Sequence, residues 1–306
     1  MNKFEHALQY LKDGTLFENF KRKIDNEKHI YYVDNEYLRK KIIQQNVHNK
    51  LIKQYKYVLD EEIEESSNRK KSKKIWTCWL QGVEQAPLLV KTCIKRMREV
   101  FGEKNVIVIT NDNLFDYLDF PDYIIEKWKK GIITNTHFSN LIRTGLLIKY
   151  GGTWIDATIL VLDKNLPKYF TNDKLFVFSH YEKGAVQDIM SSFMSAYSES
   201  RLLKYVQKLE YEYWKDHNTL MYYNLYHLLF FLAEQKCQEE WNDVHKYSNH
   251  LTHLLRKVIF DKYDKENLNE INMLSPIQKL SYKKEVPNEI KGTYYKKLII
   301  DNDFDF

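Results

Sequence analysis

The segment from His137 to Thr158, HFSNLIRTGLLIKYGGTWIDAT, constrains this chain more than any other. Its first part predicts a helix from about Thr136 to Tyr150, where Gly151 supplies the left-handed residue that caps a helix C-terminus. The pair Gly151 and Gly152 permits a sharp reversal, after which TWIDATILVL reads as a strand that follows directly. A helix that turns back at once into a strand is a building unit of an α/β sheet.

Asn140 and Arg143 lie three apart and share one face of that helix, while Leu146 and Leu147 anchor it to the sheet. Along the strand, Trp154 and Asp156 point to one side and Ile155 to the other. An acid, an arginine and an indole therefore converge at one sheet edge. Arg143 has two uses there: it can pair with Asp156 and fix its rotamer, or it can reach a phosphate. A charge-assisted bond of either kind contributes roughly 1.5–3 kcal/mol.

The same architecture extends on both sides. IWTCWL reads as a strand, Pro87 opens a helix with Val90, Ile94, Met97 and Phe101 on one face, and NVIVIT reads as the next strand. A further helix opens at Pro121 and stops at Gly131, and KLFVFSH, Lys174 to His180, is another candidate strand. Alternation of this kind predicts a mainly parallel sheet with helices on both faces and a ligand site beyond the carboxyl ends of the strands. Residues 1–73 read as a helical N-terminal segment, with Leu38, Ile42, Ile43, Val47, Leu51 and Tyr55 at helical spacing, ending in the basic run SSNRKKSKK. That run suits a linker, with recruitment to a membrane surface as the alternative. Residues 74–190 read as the nucleotide-binding core. Residues 191–306 read as a mainly helical extension on the acceptor side, with helices over Leu202 to Asp216 and Leu220 to Gln235.

Composition excludes some functions and leaves others open. With 306 residues, 43% of them hydrophobic, the chain can fill a large core. Its net charge of +5 is spread along the chain, so nucleic acid is not an expected partner, although an anionic ligand fits. The 23 tyrosines suit either an aromatic core or a surface that stacks on sugars and bases. Cys78, Cys93 and Cys237 have no metal-ligand spacing and read as buried thiols of a reducing compartment. The N-terminal residues carry charges where a signal peptide is apolar, so the expected location is cytoplasmic. No G-x-G-x-x-G or phosphate-loop lysine follows a candidate strand, which argues against a dehydrogenase or kinase.

The residues Ser139, Asn140, Arg143, Gly151, Gly152, Trp154 and Asp156 resemble, in order and spacing, the sugar-nucleotide site of family 32 glycosyltransferases and the related catalytic domains of large clostridial toxins. The Asp-Ala-Thr ending is similar to the capsular polysaccharide synthesis branch. IWTCWLQG with Ala86 and Pro87, NVIVIT with Asn111 and Asn113, and FPDYIIEKWKKGIITNTHFS resemble the same branch, so the likeness spans about Lys74 to Pro167. It implies an α/β fold of the GT-A, Rossmann-like type. It also implies transfer of a sugar from a nucleotide sugar, of the UDP-hexose kind, to a lipid-linked capsular or cell-surface polysaccharide, with retention of configuration. Contact with the inner membrane face or with capsule assembly proteins follows from such an acceptor.

The resemblance places Asp156, Arg143 and Asn140 at the reacting centre and adds Trp79, Gln81, Gly82, Ser139, Gly152, Trp154 and Lys279 to the donor site, with Trp79 stacking on the base. Lys279 belongs to SPIQKLSYKK, similar to a lysine-bearing segment of that branch. Asp188 is the acceptor-side candidate after KLFVFSH, with His180 and Glu182 beside it left as solvated loop residues. Two positions depart from the pattern: Asn140 stands where aspartate is usual, and Thr158 where a second acid of a D-x-D motif would ligate metal. The diphosphate then needs a positive partner, either Mn²⁺ or Mg²⁺ on Asp156, or a lysine or arginine from the C-terminal segment. The alternatives to a working transferase are a degenerate transferase-like partner subunit and a nucleic-acid-binding module.

Overall fold

The computed structural model describes residues 11, 16–27, 35–180 and 188–306. Two N-terminal helices, α1 (Leu16–Glu27) and α2 (Glu36–Asp60), precede strand β1 (Ile75–Cys78), helix α3 (Leu88–Phe101) and strand β2 (Val106–Ile109). Helices α4 (Asp122–Lys129) and α5 (Asn135–Tyr150) lead into β3 (Gly152–Ile155) and β4 (Ile159–Val161), followed by β5 (Leu175–His180) and β6 (Asp188–Ala196). Helices α6 (Arg201–Asp216), α7 (Leu225–Lys236) and α8 (Lys265–Leu274) then precede β7 (Ile277–Lys279), with short helical turns between them.

The central sheet has the order β2-β1-β3-β6-β5. Strand β1 pairs in parallel with β2 and β3, whereas β6 runs antiparallel to both β3 and β5. Only β6 therefore opposes the common direction, and the sheet is mainly parallel and flanked by helices, as expected. Period-two alternation divides its residues between two cores. Trp76, Trp154 and Val177 face the layer of α2, α5, α6 and α7, while Ile75, Ile155, Phe176 and Phe178 face the opposite cluster with Leu268 and Ile271 of α8.

Two boundaries differ from the sequence reading. TWIDATILVL is not one strand: the Ile159 N–H donates to the Asp156 carbonyl at 2.9 Å, so the chain turns after Ile155 and β4 joins β7 in a second, two-stranded sheet. The β-favouring residues on both sides of Asp156–Thr158 conceal that turn, because β4 is buried in its own sheet as fully as β3 is in the first. Strand β6 crosses residue 190 and lies inside the sheet, so the sheet extends into the expected helical extension. Its sequence, DIMSSFMSA, has hydroxyl residues that weaken the apolar pattern.

The N-terminal segment shares the main core, burying Val47, Leu51, Tyr55 and Val58 of α2 against the layer that contains α6 and α7. The basic run after it is exposed at Ser67, Asn68, Lys70, Lys71 and Lys73 but is tied to the core at several points. Lys70 exchanges backbone and hydroxyl hydrogen bonds with Ser198 at 2.9 and 3.0 Å, and Arg69 pairs with Glu65 and Glu240 at 3.2 and 2.9 Å. The Lys74 ammonium sits over the Trp76 and Tyr150 rings.

Candidate functional site

The reversal after α5 fixes where the acid goes. Gly151 adopts φ 65° and caps α5 by donating its N–H to the Leu147 carbonyl. Gly152 follows at φ 102°, and a Cβ there would meet the Lys74 carbonyl oxygen at 2.3 Å. Only glycine lets β3 approach the chain entering β1 this closely. Strand β3 then ends at Ile155, and the Asp156 N–H makes a last sheet bond to the Ser192 carbonyl at 2.8 Å. Asp156 thus stands at the carboxyl end of the central parallel strand, where α/β sheets place their ligands.

Three side chains hold its carboxylate, and a fourth supports one of them. Arg143 donates to Oδ1 at 3.1 Å and Trp154 Nε1 donates to the same oxygen at 2.7 Å, while Lys279 Nζ donates to Oδ2 at 2.6 Å. Asn140 Oδ1 in turn accepts from Arg143 at 2.7 Å, one helical turn back on α5. The Arg143 guanidinium also lies against two aromatic rings, 4.9 Å from the Trp154 centroid and 5.3 Å from that of Tyr226. Burial acts to raise the Asp156 pKa, but the charges of Lys279 and then Arg143, with hydrogen bonds from Lys279 and Trp154, outweigh it and hold the carboxyl well below the usual range. It is ionised at neutral pH.

Lys279 arrives by strand register. In the β4–β7 pair Ile159 lies opposite Lys279, and the Leu280 N–H donates to the Thr158 carbonyl at 2.9 Å. The turn at Asp156–Ile159 and this register bring the lysine beside the acid.

Asp156 opens onto a cavity of about 360 Å³ walled by the residues after β1 (Cys78 to Gln81), the start of α5 (Asn135, Thr136, Ser139), the Asp156 turn and the stretch Lys279–Lys283. Trp79 is half-buried on this wall, its indole nitrogen has no hydrogen-bond partner among the described residues, and its ring meets Tyr282 edge-on at 5.4 Å. The first turn of α5 also faces the cavity and adds the positive end of a helix dipole. Arg256, Lys279 and Lys283 face it against one acid, Asp156, which leaves a positive wall.

Of the residues singled out in the sequence, Trp79, Gln81, Ser139, Trp154, Asp156 and Lys279 line this cavity together. Arg143 and Asn140 stand behind Asp156 and are absent from the wall; Arg143 is 3% exposed. Gly82, at φ 86°, opens a short helical turn away from the wall, and Gly152 acts through its close backbone approach. Asp188 opens β6 opposite His180, but both side chains, and the whole of Glu182, lie outside the described residues. The sequence reading missed Tyr223, Arg256, Tyr282 and Lys283. Tyr282 and Lys283 lie inside the SPIQKLSYKK segment it had marked for its lysine, whereas Tyr223 and Arg256 belong to the helical half, where no motif marks them.

An α/β sheet with a carboxylate, a buried arginine and an indole gathered at the end of its central parallel strand defines a ligand-binding enzyme class. The chain belongs to the capsular polysaccharide synthesis protein family, which matches residues 24–298. With that membership the class expected from KYGGTWIDAT, a glycosyltransferase, holds. A solved structure described as PaToxG glycosyltransferase is similar at 13% identity, covering 76% of this chain and 95% of that one, with a TM-score of 0.36. No curated protein matches.

Proposed function

We propose that the protein transfers a hexose from a nucleotide sugar of the UDP type to a growing, lipid-linked capsular or cell-surface polysaccharide, with retention of configuration. The observation that carries this reading is the placement of Asp156. It is an ionised carboxylate held by Arg143, Trp154 and Lys279 on the wall of a cavity large enough for a small polar ligand.

In this reading Trp79 and Tyr282 receive the base on their rings. Ser139 and Asp156 face the donor sugar, and the Asp156 carboxylate accepts from its hydroxyls. Arg143 and Asn140 act through Asp156 by fixing its rotamer. The acceptor hydroxyl attacks the anomeric carbon on the face from which the diphosphate departs, and the departing phosphate oxygen takes its proton. No protein base is required for that step, which suits a wall whose single acid is held ionised by two cations.

No helix among the described residues is long and apolar enough to cross a membrane. A lipid-linked acceptor calls for a visit to the inner membrane face, which the exposed Lys70, Lys71 and Lys73 would favour through attraction to anionic lipid.

A thermal-shift series tests the donor site: UDP-glucose, UDP-galactose, their N-acetyl derivatives and UDP should raise the melting temperature of the unmutated chain and fail to raise that of Asp156→Ala. An unmutated protein that no nucleotide sugar stabilises would rule the reading out.

A further inference from the structure

We infer that the sugar transfer proposed above proceeds without a divalent cation, the diphosphate being held instead by Lys279, Arg256 and Lys283. This rests on the nucleotide-sugar reading of the cavity and sharpens it.

The donor set at Asp156 does not fit a resident metal. Both carboxylate oxygens are taken by N–H groups, Oδ2 by Lys279 and Oδ1 by Arg143 and Trp154, at 2.6, 3.1 and 2.7 Å. A dication on the remaining lone pair of Oδ2 would stand directly beside the Lys279 ammonium, against like-charge repulsion. Hard cations bound by protein use oxygen ligands, commonly one or two carboxylates plus substrate phosphates, and the one carboxylate here is already bonded to Lys279, Arg143 and Trp154. Here Asp156 is the single acid on the cavity wall, Thr158 is nine-tenths buried, and its carbonyl accepts from Leu280. Among the described residues no group of three histidine, cysteine, aspartate or glutamate side chains is placed to hold an ion.

The cations fit the alternative. Three basic side chains against one acid give the wall a net charge of +2, opposite to the about two negative charges of a nucleoside diphosphate. Lys279 is fixed by the β4–β7 register and is 22% exposed, so its ammonium is prepositioned between Asp156 and the cavity. Arg256 and Lys283 are exposed on the same wall and form no ion pair with another described residue, so their charge is available to a ligand.

The chemistry balances. The bond from the anomeric carbon to the β-phosphate oxygen breaks with its electron pair going to that oxygen, and the acceptor hydroxyl oxygen bonds to the anomeric carbon. The hydroxyl proton passes to the departing diphosphate, whose remaining charge the three cations face.

Calorimetric titration of the full chain with UDP, in 1 mM EDTA and again in 1 mM Mn²⁺, tests this. The expected result is a Kd equal within about threefold in the two buffers, a tenfold or greater weakening in Lys279→Met, and no recovery of that loss with Mn²⁺. Arg256→Ala, on an exposed position, should weaken UDP by threefold or more and keeps the test decisive if Lys279→Met does not fold. Thr158→Asp should introduce a Mn²⁺ requirement that the unmutated chain lacks. Binding lost in EDTA and restored by Mn²⁺ would overturn the cation-clamp inference while leaving the donor site intact. Absence of UDP binding in both buffers would instead remove the donor site itself, and the clamp with it.

Discussion

Lys279 Nζ lies 2.6 Å from Asp156 Oδ2, across 123 residues of chain. That bond joins the turn at the end of the central sheet to a strand of the second sheet, so the acid that marks the cavity also ties two parts of the fold together. Substitution of Asp156 by asparagine keeps its shape and removes its charge, leaving Arg143, 3% exposed, without a carboxylate partner. Breaking a fully buried pair costs about 3–5 kcal/mol, and because Asp156 is 26% exposed we expect a loss of about 1–3 kcal/mol. Urea unfolding measures it, and sugar-nucleotide turnover should fall by about 10²-fold or more. Unchanged urea stability would mean that the pairing does not hold the site.

Much of this site was legible in the sequence because it is local. Asn140, Arg143, Trp154 and Asp156 lie within one helix–turn–strand unit, and three-residue helical spacing and two-residue strand alternation are enough to bring them together. What periodicity could not show was long-range register. Lys279 was reached only through a resemblance, the β4–β7 pairing that delivers it was not anticipated, and nothing in the sequence around Arg256 or Tyr223 distinguishes them from other surface residues. Strand β6 was missed because a strand inserted between two others is defined by its neighbours, and its serines disguise a buried position.

Arg143→Lys separates positioning from binding. Lysine cannot span Asn140 and Asp156 at once, nor stack its charge as a plane against Trp154 and Tyr226. Because Arg143 is not on the cavity wall, we expect kcat to fall by about 10–100-fold while KM for the nucleotide sugar changes by less than about threefold. A rise in KM with kcat preserved would place the guanidinium on the ligand instead.

Gly152→Ala tests whether that glycine serves the backbone or the ligand. The added Cβ would lie 2.3 Å from the Lys74 carbonyl oxygen, and φ 102° is itself unfavourable for alanine. We expect a stability loss of about 2–4 kcal/mol, visible as a lowered Tm in the absence of any nucleotide. A variant of normal stability but poor nucleotide affinity would contradict this backbone role.

Acid–base titration gives the last test, from two carboxyls away from the cavity. Glu210 is buried on α6; burial pushes its pKa up to about 8, against a hydrogen bond from Thr144 and the charge of Arg143. Glu234 on α7 is likewise raised by burial to about 8, opposed by Lys246. Each has an ordinary value of 4.5 when unfolded, so between about pH 4.5 and 8 the folded state holds protons that the unfolded state has lost. Their contribution is fully present below that window and is lost as pH rises through it, at up to about 1.4 kcal/mol per pH unit for each group. Asp156 has the opposite sign, but its loss begins only as pH falls below its ordinary value of 3.8, outside the window. His137, lowered by burial to about 4, and His48 and His253, also lowered by burial, add stability as pH rises toward their ordinary value of 6.5 and so offset the two glutamates below it. Unfolding free energy should therefore decline between about pH 6.5 and 8, and Glu210→Gln and Glu234→Gln should each flatten that decline. The Glu210 substitution should also leave Arg143 wholly to Asp156 at high pH, so its activity should persist to higher pH than that of the unmutated protein. Equal pH slopes in all three proteins would show that neither carboxyl is held neutral by the fold.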